Sequence, residues 1–281
     1  MKLVGEDFPP DTSYNFFGKE LSMPIMAASV AGVNSFGGDS VITEQEFCRS
    51  VVLGCKAAGT LGWRGDTYTY SLENSHGINA IAEADGLGVK IVKPREQETI
   101  LKFFKKAEKV GCVAVGVDID GAGSYAMATH NKPVFKKSVE DIKELVSATN
   151  LPVIIKGVMC VEDALKAKEA GAAAIVISNH GGRVLDHTPG TADVLQPIVN
   201  ELKGKIKILV DGGIRTGYDV VKMLALGAES VLIGRDIIRA SVGAGIKGVQ
   251  IHMEYMQKIL QKAMKMTNCK TLRDVSSEIF Y

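Results

Sequence analysis

From residue 23 onward, short apolar runs alternate with longer amphipathic stretches. The runs are MPIMAASV (23–30), GTLGW (59–63), VKIVK (89–93), CVAVGVDI (112–119), PVIIKGV (152–158), AAIVISN (173–179), IKILVDG (206–212) and ESVLIGR (229–235). Their length and their content of Val and Ile predict buried strands. Between them lie helical patterns: TEQEFCRSVVLGCKAAG, SLENSHGINAIAEA, QETILKFFKKAEKVG, SVEDIKELVSATN, VEDALKAKEAG, TADVLQPIVNELKG and TGYDVVKMLALG. A longer helical pattern covers about 237–265. In the third of these, Ile100, Phe103, Phe104 and Ala107 share one face. In the fourth, Ser138 and Asp141 stand at the spacing of an N-terminal cap.

Strands of this kind separated by helices pair in parallel, because each crossover returns the chain to the same end of the sheet. Eight strand–helix pairs are the number that closes a (β/α)8 TIM barrel. The alternative, an open doubly wound sheet, would carry G-x-G-x-x-G after its first strand, and VAGVNSFGG does not match. The pattern therefore predicts one barrel domain over 1–281. Residues 1–22 are expected to form a hairpin closing the bottom of the barrel, and 237–281 to form C-terminal helices.

Composition narrows the class. The net charge of +1 gives no reason to expect nucleic acid or an anionic membrane as partner. No apolar run is long enough for a membrane span, and the N-terminal stretch lacks the apolar core of a signal peptide. Five scattered cysteines, odd in number and without C-x-x-C spacing, read as reduced thiols of a cytoplasmic protein.

In a barrel of this type the active site forms at the C-terminal ends of the strands. Here the fourth strand ends in Asp118 and Asp120, and the fifth carries Lys156. The sixth runs into ISNHGGRVLDHTPGT (177–191), with Ser178, Asn179, His180 and Arg183. The seventh ends in Asp211-Gly-Gly-Ile-Arg215 and the eighth in Gly234-Arg235. Charges are costly to bury unless paired or solvated, so five consecutive charged strand ends on one rim point to function. DGGIRTG followed one strand later by IGR provides glycine amides, two arginines and a helix N-terminus, which suits a phosphate on a substrate or a cofactor. No His, Cys or carboxylate spacing predicts a metal site.

SNHGGRVLD, with IIKGV upstream and LVDGGIRTGYDVVKMLALGAESVLIGR downstream, resembles the FMN-dependent 2-hydroxy-acid oxidases and dehydrogenases, such as glycolate and lactate oxidase. The resemblance is strongest over 150–240 and collinear over 21–120. It implies a (β/α)8 barrel that binds FMN and oxidises a small 2-hydroxy acid, passing electrons to oxygen or another acceptor. His180 would be the active-site base, Asp118 its partner, and Arg183 the ligand of the substrate carboxylate. Lys156 would sit by the flavin edge that gathers negative charge on reduction, and Ser178 would contact the flavin ring. Ala28, Ser29 and Val30 would run along the flavin, while Asp211, Gly213, Arg215, Gly234 and Arg235 would hold the ribityl chain and phosphate. A homotetramer is a further implication of the resemblance.

The chain departs from the family in its substrate shell. It begins after the helical segment that carries a substrate-binding tyrosine. GVKIVKPRE puts Gly88 and Lys90 where a glutamine and a tyrosine are usual, and DIDGAGSYAM offers no second arginine. The loop between the fourth strand and its helix is shortened. Lys90, Tyr125 and His130 are candidates for the lost contacts, although solvated loop positions are the plainer expectation for each. His187 is expected to be a loop residue at the mouth, and His76 and His252 structural or surface residues of helices. The competing functions are an FMN-dependent isomerase, an IMP-dehydrogenase-like barrel enzyme, or a flavin-binding protein without turnover.

Overall fold

Eight parallel strands close into a barrel in the computed structural model, which describes residue 1 and residues 4–280. They are β3 (Ile25–Ala27), β4 (Gly62–Arg64), β5 (Gly88–Val92), β6 (Ala114–Asp118), β7 (Val153–Val158), β8 (Ala174–Ile177), β9 (Lys207–Val210) and β10 (Ser230–Ile233). Each pairs with its neighbours in sequence, and β10 pairs with β3 to complete the ring. The expected (β/α)8 barrel is the fold observed. The crossovers are α1 (Glu44–Ala57), α2 (His76–Glu83), α3 (Gln97–Lys109), α5 (Val139–Ser147), α6 (Val161–Glu169), α7 (Thr191–Leu202) and α8 (Gly217–Ala225). A short helix, α4 (Tyr125–Thr129), lies in the connection after β6, and α9 (Arg235–Met266) follows β10.

Local chemistry sets these boundaries. α1 and α5 open with capping boxes, Thr43 with Glu46 and Ser138 with Asp141, each satisfying backbone donors that a first turn leaves free. α9 is two helices joined at Ala244 and Gly245, where Gly245 takes φ 55, so the long last pattern bends at a glycine. The first strand is shorter than 23–30: Ala28 N–H still donates to the Ile233 carbonyl of β10 at 2.8 Å, but Val30 N–H turns back to the Ala28 carbonyl at 2.7 Å and takes Ser29 and Val30 off the sheet.

Alternation along the strands separates two apolar layers. Met26, Trp63, Val89, Ile91, Ile154, Val176 and Leu209 fill the barrel interior. Val92, Val115, Val117, Ile155 and Ile177 face the helices. The hairpin β1 (Tyr14–Phe16) and β2 (Lys19–Leu21) turns at Phe17 and Gly18, both with positive φ, and joins the interior layer through Phe16 and Leu21. The Phe16 ring lies 6.0 Å from that of Trp63.

The same alternation decides Lys90. It lies between the inward residues Val89 and Ile91, so its side chain points outward, into the layer between barrel and helices. There it is fully buried, its ammonium 5.2 Å from the Tyr70 ring and 5.6 Å from the Phe103 ring, donating to the Gly65 carbonyl. The expectation that Lys90 is a substrate contact or a solvated loop residue is therefore corrected. Among the described residues no helix is long and apolar enough to cross a membrane.

Candidate active site

The strand ends open into a cavity of about 550 Å³ at the rim. Ala28, Ser29, Val30, Asp118, Lys156, His180, Arg183, Asp211, Gly213, Arg215, Gly234 and Arg235 all line it. Residues drawn from six strand ends thus converge, as the rim reading requires. Ser178 is fully buried and outside this lining; its hydroxyl accepts from Lys156 Nζ at 2.7 Å and from the His180 backbone N–H at 3.3 Å.

Lys156 anchors the floor. Its ammonium lies 3.1 Å from Asp211 Oδ2 and 3.9 Å from Asp118 Oδ1. Burial works against the charged form, but Asp211, Asp118 and Asp120 outweigh it and hold the lysine protonated well above its ordinary range. Asp118 is also buried, with Lys93 Nζ 2.7 Å from its Oδ2. Burial alone would push this carboxyl up; Lys93, His180 and Lys156 together keep it well below the usual carboxylate range.

His180 departs from the expected pairing. Its Nδ1 lies 3.6 Å from Asp118 Oδ1, too long for a hydrogen bond, but 3.0 and 3.1 Å from the two oxygens of Asp120. Asp118 is thus a charge near His180, and Asp120 is its hydrogen-bond partner. The loop supports this placement: His180, Gly181 and Gly182 take φ 56, 67 and 78, and Asn179 accepts the Gly181 N–H on its side chain. A left-handed histidine is uncommon and costs free energy, so its surroundings must hold it there.

Two site residues escaped sequence reasoning. Lys93 continues the inward parity of Val89 and Ile91, a period-two signal that runs one residue past β5. Asp120 was visible beside Asp118 but had no role, because only the turn Ile119–Gly123 brings it back to His180. Asp118, Asp120 and His180 also present ligand atoms within 4.8 Å of one another, the size of a metal site, which no linear spacing predicts. Lys93 and Lys156 already compensate this cluster's charge from the protein itself.

The remaining candidates separate clearly. Tyr125 lines the cavity and is largely exposed. His130 is exposed and stacks at 3.7 Å on Tyr68, which is part of the cavity wall. His187 is exposed on the loop and outside the lining, and His252 is a half-buried residue of α9.

The corner after β9 and β10 could hold a phosphate. Gly213 has φ 72, and a Cβ there would meet no atom within 4 Å, while one at Gly234 would come no closer than 3.8 Å to Val30, so open space adjoins both. Arg215 and Arg235 are exposed at this corner and form no ion pair among the described residues. Two unpaired guanidinium groups beside backbone amides match a phosphate dianion.

Fold and corner together define a (β/α)8 barrel whose rim could take a phosphorylated ligand. The chain belongs to the FMN-dependent dehydrogenase family, which it matches over residues 3–132 and 123–281. It is 45% identical over 139 residues to peroxisomal (S)-2-hydroxyacid oxidase GLO3 of Arabidopsis thaliana, a match covering 50% of this chain but only 38% of that protein. It is 30% identical over 298 residues to 4-hydroxymandelate oxidase of Amycolatopsis orientalis, covering 93% of this chain and 80% of that one. Among solved structures, mandelate oxidase superposes with a TM-score of 0.82 at 27% identity, over 98% of this chain and 83% of the other.

Proposed function

We propose that the protein oxidises a small 2-hydroxy acid to the corresponding 2-oxo acid with FMN as its cofactor. The observation that carries this reading is the convergence of His180 and Arg183 on the same cavity as the phosphate corner. Arg215, Arg235 and the Gly213 and Gly234 backbone would hold the phosphate, with Asp211 at the ribityl chain. Ala28, Ser29 and Val30 would line the flavin, and Lys156 would place a fixed positive charge against it, backed by Ser178. FMN held there would supply the acceptor for the two electrons that leave the substrate carbon.

The chain's own residues do the rest. Arg183 is exposed into the cavity and unpaired among the described residues, so its planar fork is free to take the substrate carboxylate in two hydrogen bonds. His180 donates its Nδ1 proton to a carboxylate, which leaves the Nε2 lone pair to accept a proton from the substrate. The imidazolium so formed faces Asp120 and Asp118, which favour its charge.

The names of the relatives, oxidases of 2-hydroxyacids and of 4-hydroxymandelate, support this substrate class. Five unpaired thiols support a reducing, cytoplasmic location. Exposed Ile251 and Tyr255, one turn apart on α9, support self-association. The test is spectroscopic. The purified protein should show flavin absorbance that a 2-hydroxy acid bleaches under anaerobic conditions, and His180→Ala should keep the flavin and lose the bleaching. A flavin-containing protein that no 2-hydroxy acid bleaches would favour a binding protein without turnover, and failure to take up FMN at all would end the reading.

A further inference from the structure

We propose that Asp120, rather than Asp118, is the residue that orients His180 and fixes the proton on its Nδ1, so that the two carboxylates divide two tasks between them. The proposal rests on the reading of His180 as the base.

The division follows from geometry. Both Asp120 oxygens lie within hydrogen-bond distance of His180 Nδ1, at 3.0 and 3.1 Å. An ionised carboxylate only accepts, so the proton belongs to Nδ1 and the lone pair to Nε2. Asp118 Oδ2 takes the Lys93 ammonium at 2.7 Å, while its Oδ1 is buried without a hydrogen-bond partner among the described residues. One Nδ1 proton cannot serve both carboxylates, and it points to Asp120.

The barrel wall is shaped around this contact. Gly157 of β7 has φ 95, and a Cβ there would stand 2.6 Å from Asp120 Cγ and Oδ1. The pairing of β7 with β8 shifts register between Lys156 and Val158, at this same residue. A bulge with a glycine at its crest is how a strand admits a close neighbour. Here it admits the Asp120 side chain, which is held between β7 and His180.

The electrostatics run the same way. Burial and the adjacent Asp118 charge push the Asp120 carboxyl up, and a more basic carboxylate is the better acceptor. Asp118 is driven in the opposite direction by Lys93, His180 and Lys156. The charged groups around His180 are therefore Asp118 and Asp120 from the end of β6, Lys93 after β5 and Lys156 of β7, with Asp211 beyond Lys156. Three carboxylates face two lysines, and a proton gained by His180 balances the set.

The experiment compares Asp120→Asn and Asp118→Asn with the wild-type FMN-loaded protein. The first readout is independent of turnover: ¹⁵N resonances of histidine-labelled protein, with His180 assigned by its loss in His180→Ala. Asp120→Asn should move the His180 nitrogen resonances away from the Nδ1–H form. The second readout is the anaerobic rate of flavin bleaching by substrate. Asp120→Asn should lower its limiting value by about 10²-fold, as expected for a mispositioned base, while the Kd for substrate and for FMN stay within about twofold. Unchanged His180 resonances in Asp120→Asn, or a change produced by Asp118→Asn instead, overturn the proposal. So does a wild-type bleaching rate in Asp120→Asn. A wild-type protein that no 2-hydroxy acid bleaches defeats the functional reading alone, and the resonances still decide the Asp120 contact.

Discussion

Lys93 Nζ stands 2.7 Å from Asp118 Oδ2, both side chains almost out of solvent, and this ion pair closes the inner end of the site. Removing one partner of a buried pair leaves the other charge uncompensated. Lys93→Met would leave Asp118 with Lys156 at 3.9 Å as its remaining lysine. The expected loss of stability is about 3 kcal/mol, read from the urea midpoint. The pH dependence gives a second reading. Asp118 is held below its ordinary value of 3.8 in the folded protein, so its contribution is complete above about pH 4 and lost as the pH falls below that. Lys93→Met should flatten this acid-side loss relative to wild type.

Arg183 touches no carboxylate of the protein among the described residues and is exposed, so its removal should cost little stability, within about 0.5 kcal/mol. Its effect should fall on substrate. The connection that directly follows β6, DIDGAGSYAM, offers no arginine to share the task, so Arg183→Ala should raise the Kd of the 2-hydroxy acid by roughly 30-fold or more, corresponding to 2 kcal/mol or above for a lost charge-paired contact. The FMN Kd should not change. A variant that keeps wild-type substrate affinity would show that the carboxylate binds elsewhere.

Arg215 and Arg235 should act on the cofactor instead. Each guanidinium–phosphate contact is expected to contribute about 1.5–3 kcal/mol. Arg215→Ala and Arg235→Ala should therefore each weaken FMN binding by roughly 10- to 100-fold, measured by titrating the apoprotein and following flavin fluorescence. Inorganic phosphate should compete with FMN in the wild type and compete less in either variant. His180→Ala, remote from this corner, should bind FMN normally.

How far these assignments could be read in advance depended on the periodicity available. The strands from 152 to 235 were legible because runs such as PVIIKGV and IKILVDG are bounded by glycine or proline and helical patterns. The polar residues at their ends, including His180, Arg183, Asp211 and Arg235, fell on the rim once the strands were placed. Lys90 and Lys93 were harder. One faces out and the other in, and telling them apart needs the parity of Val89 and Ile91 against the barrel axis. The contact of Asp120 with His180 spans 60 residues and depends on a turn and a bulge at Gly157, neither of which leaves a periodic trace. Local pattern thus carried the fold and the rim, while partner choice within the rim depended on long-range packing.

Lys90 provides the last prediction, on stability. It is fully buried, and burial lowers its ammonium to about 8 from 10.5, against the attraction of Asp66. The unfolded chain therefore binds more protons than the folded one between about pH 8 and 10.5, so this residue makes the protein more stable as the pH rises through that window. The gain corresponds to roughly 3 kcal/mol across the window, and the same amount is the cost of burying the charge at lower pH. Lys90→Met keeps the length and the contacts with Tyr70 and Phe103 but has nothing to protonate. The difference in unfolding free energy between variant and wild type cancels the titration of other groups. It should favour the variant at pH 7 and fall toward zero or below by pH 10.5, where the wild-type lysine is neutral and still donates to the Gly65 carbonyl. Parallel curves for the two proteins would mean that Lys90 keeps an ordinary ammonium in the folded state.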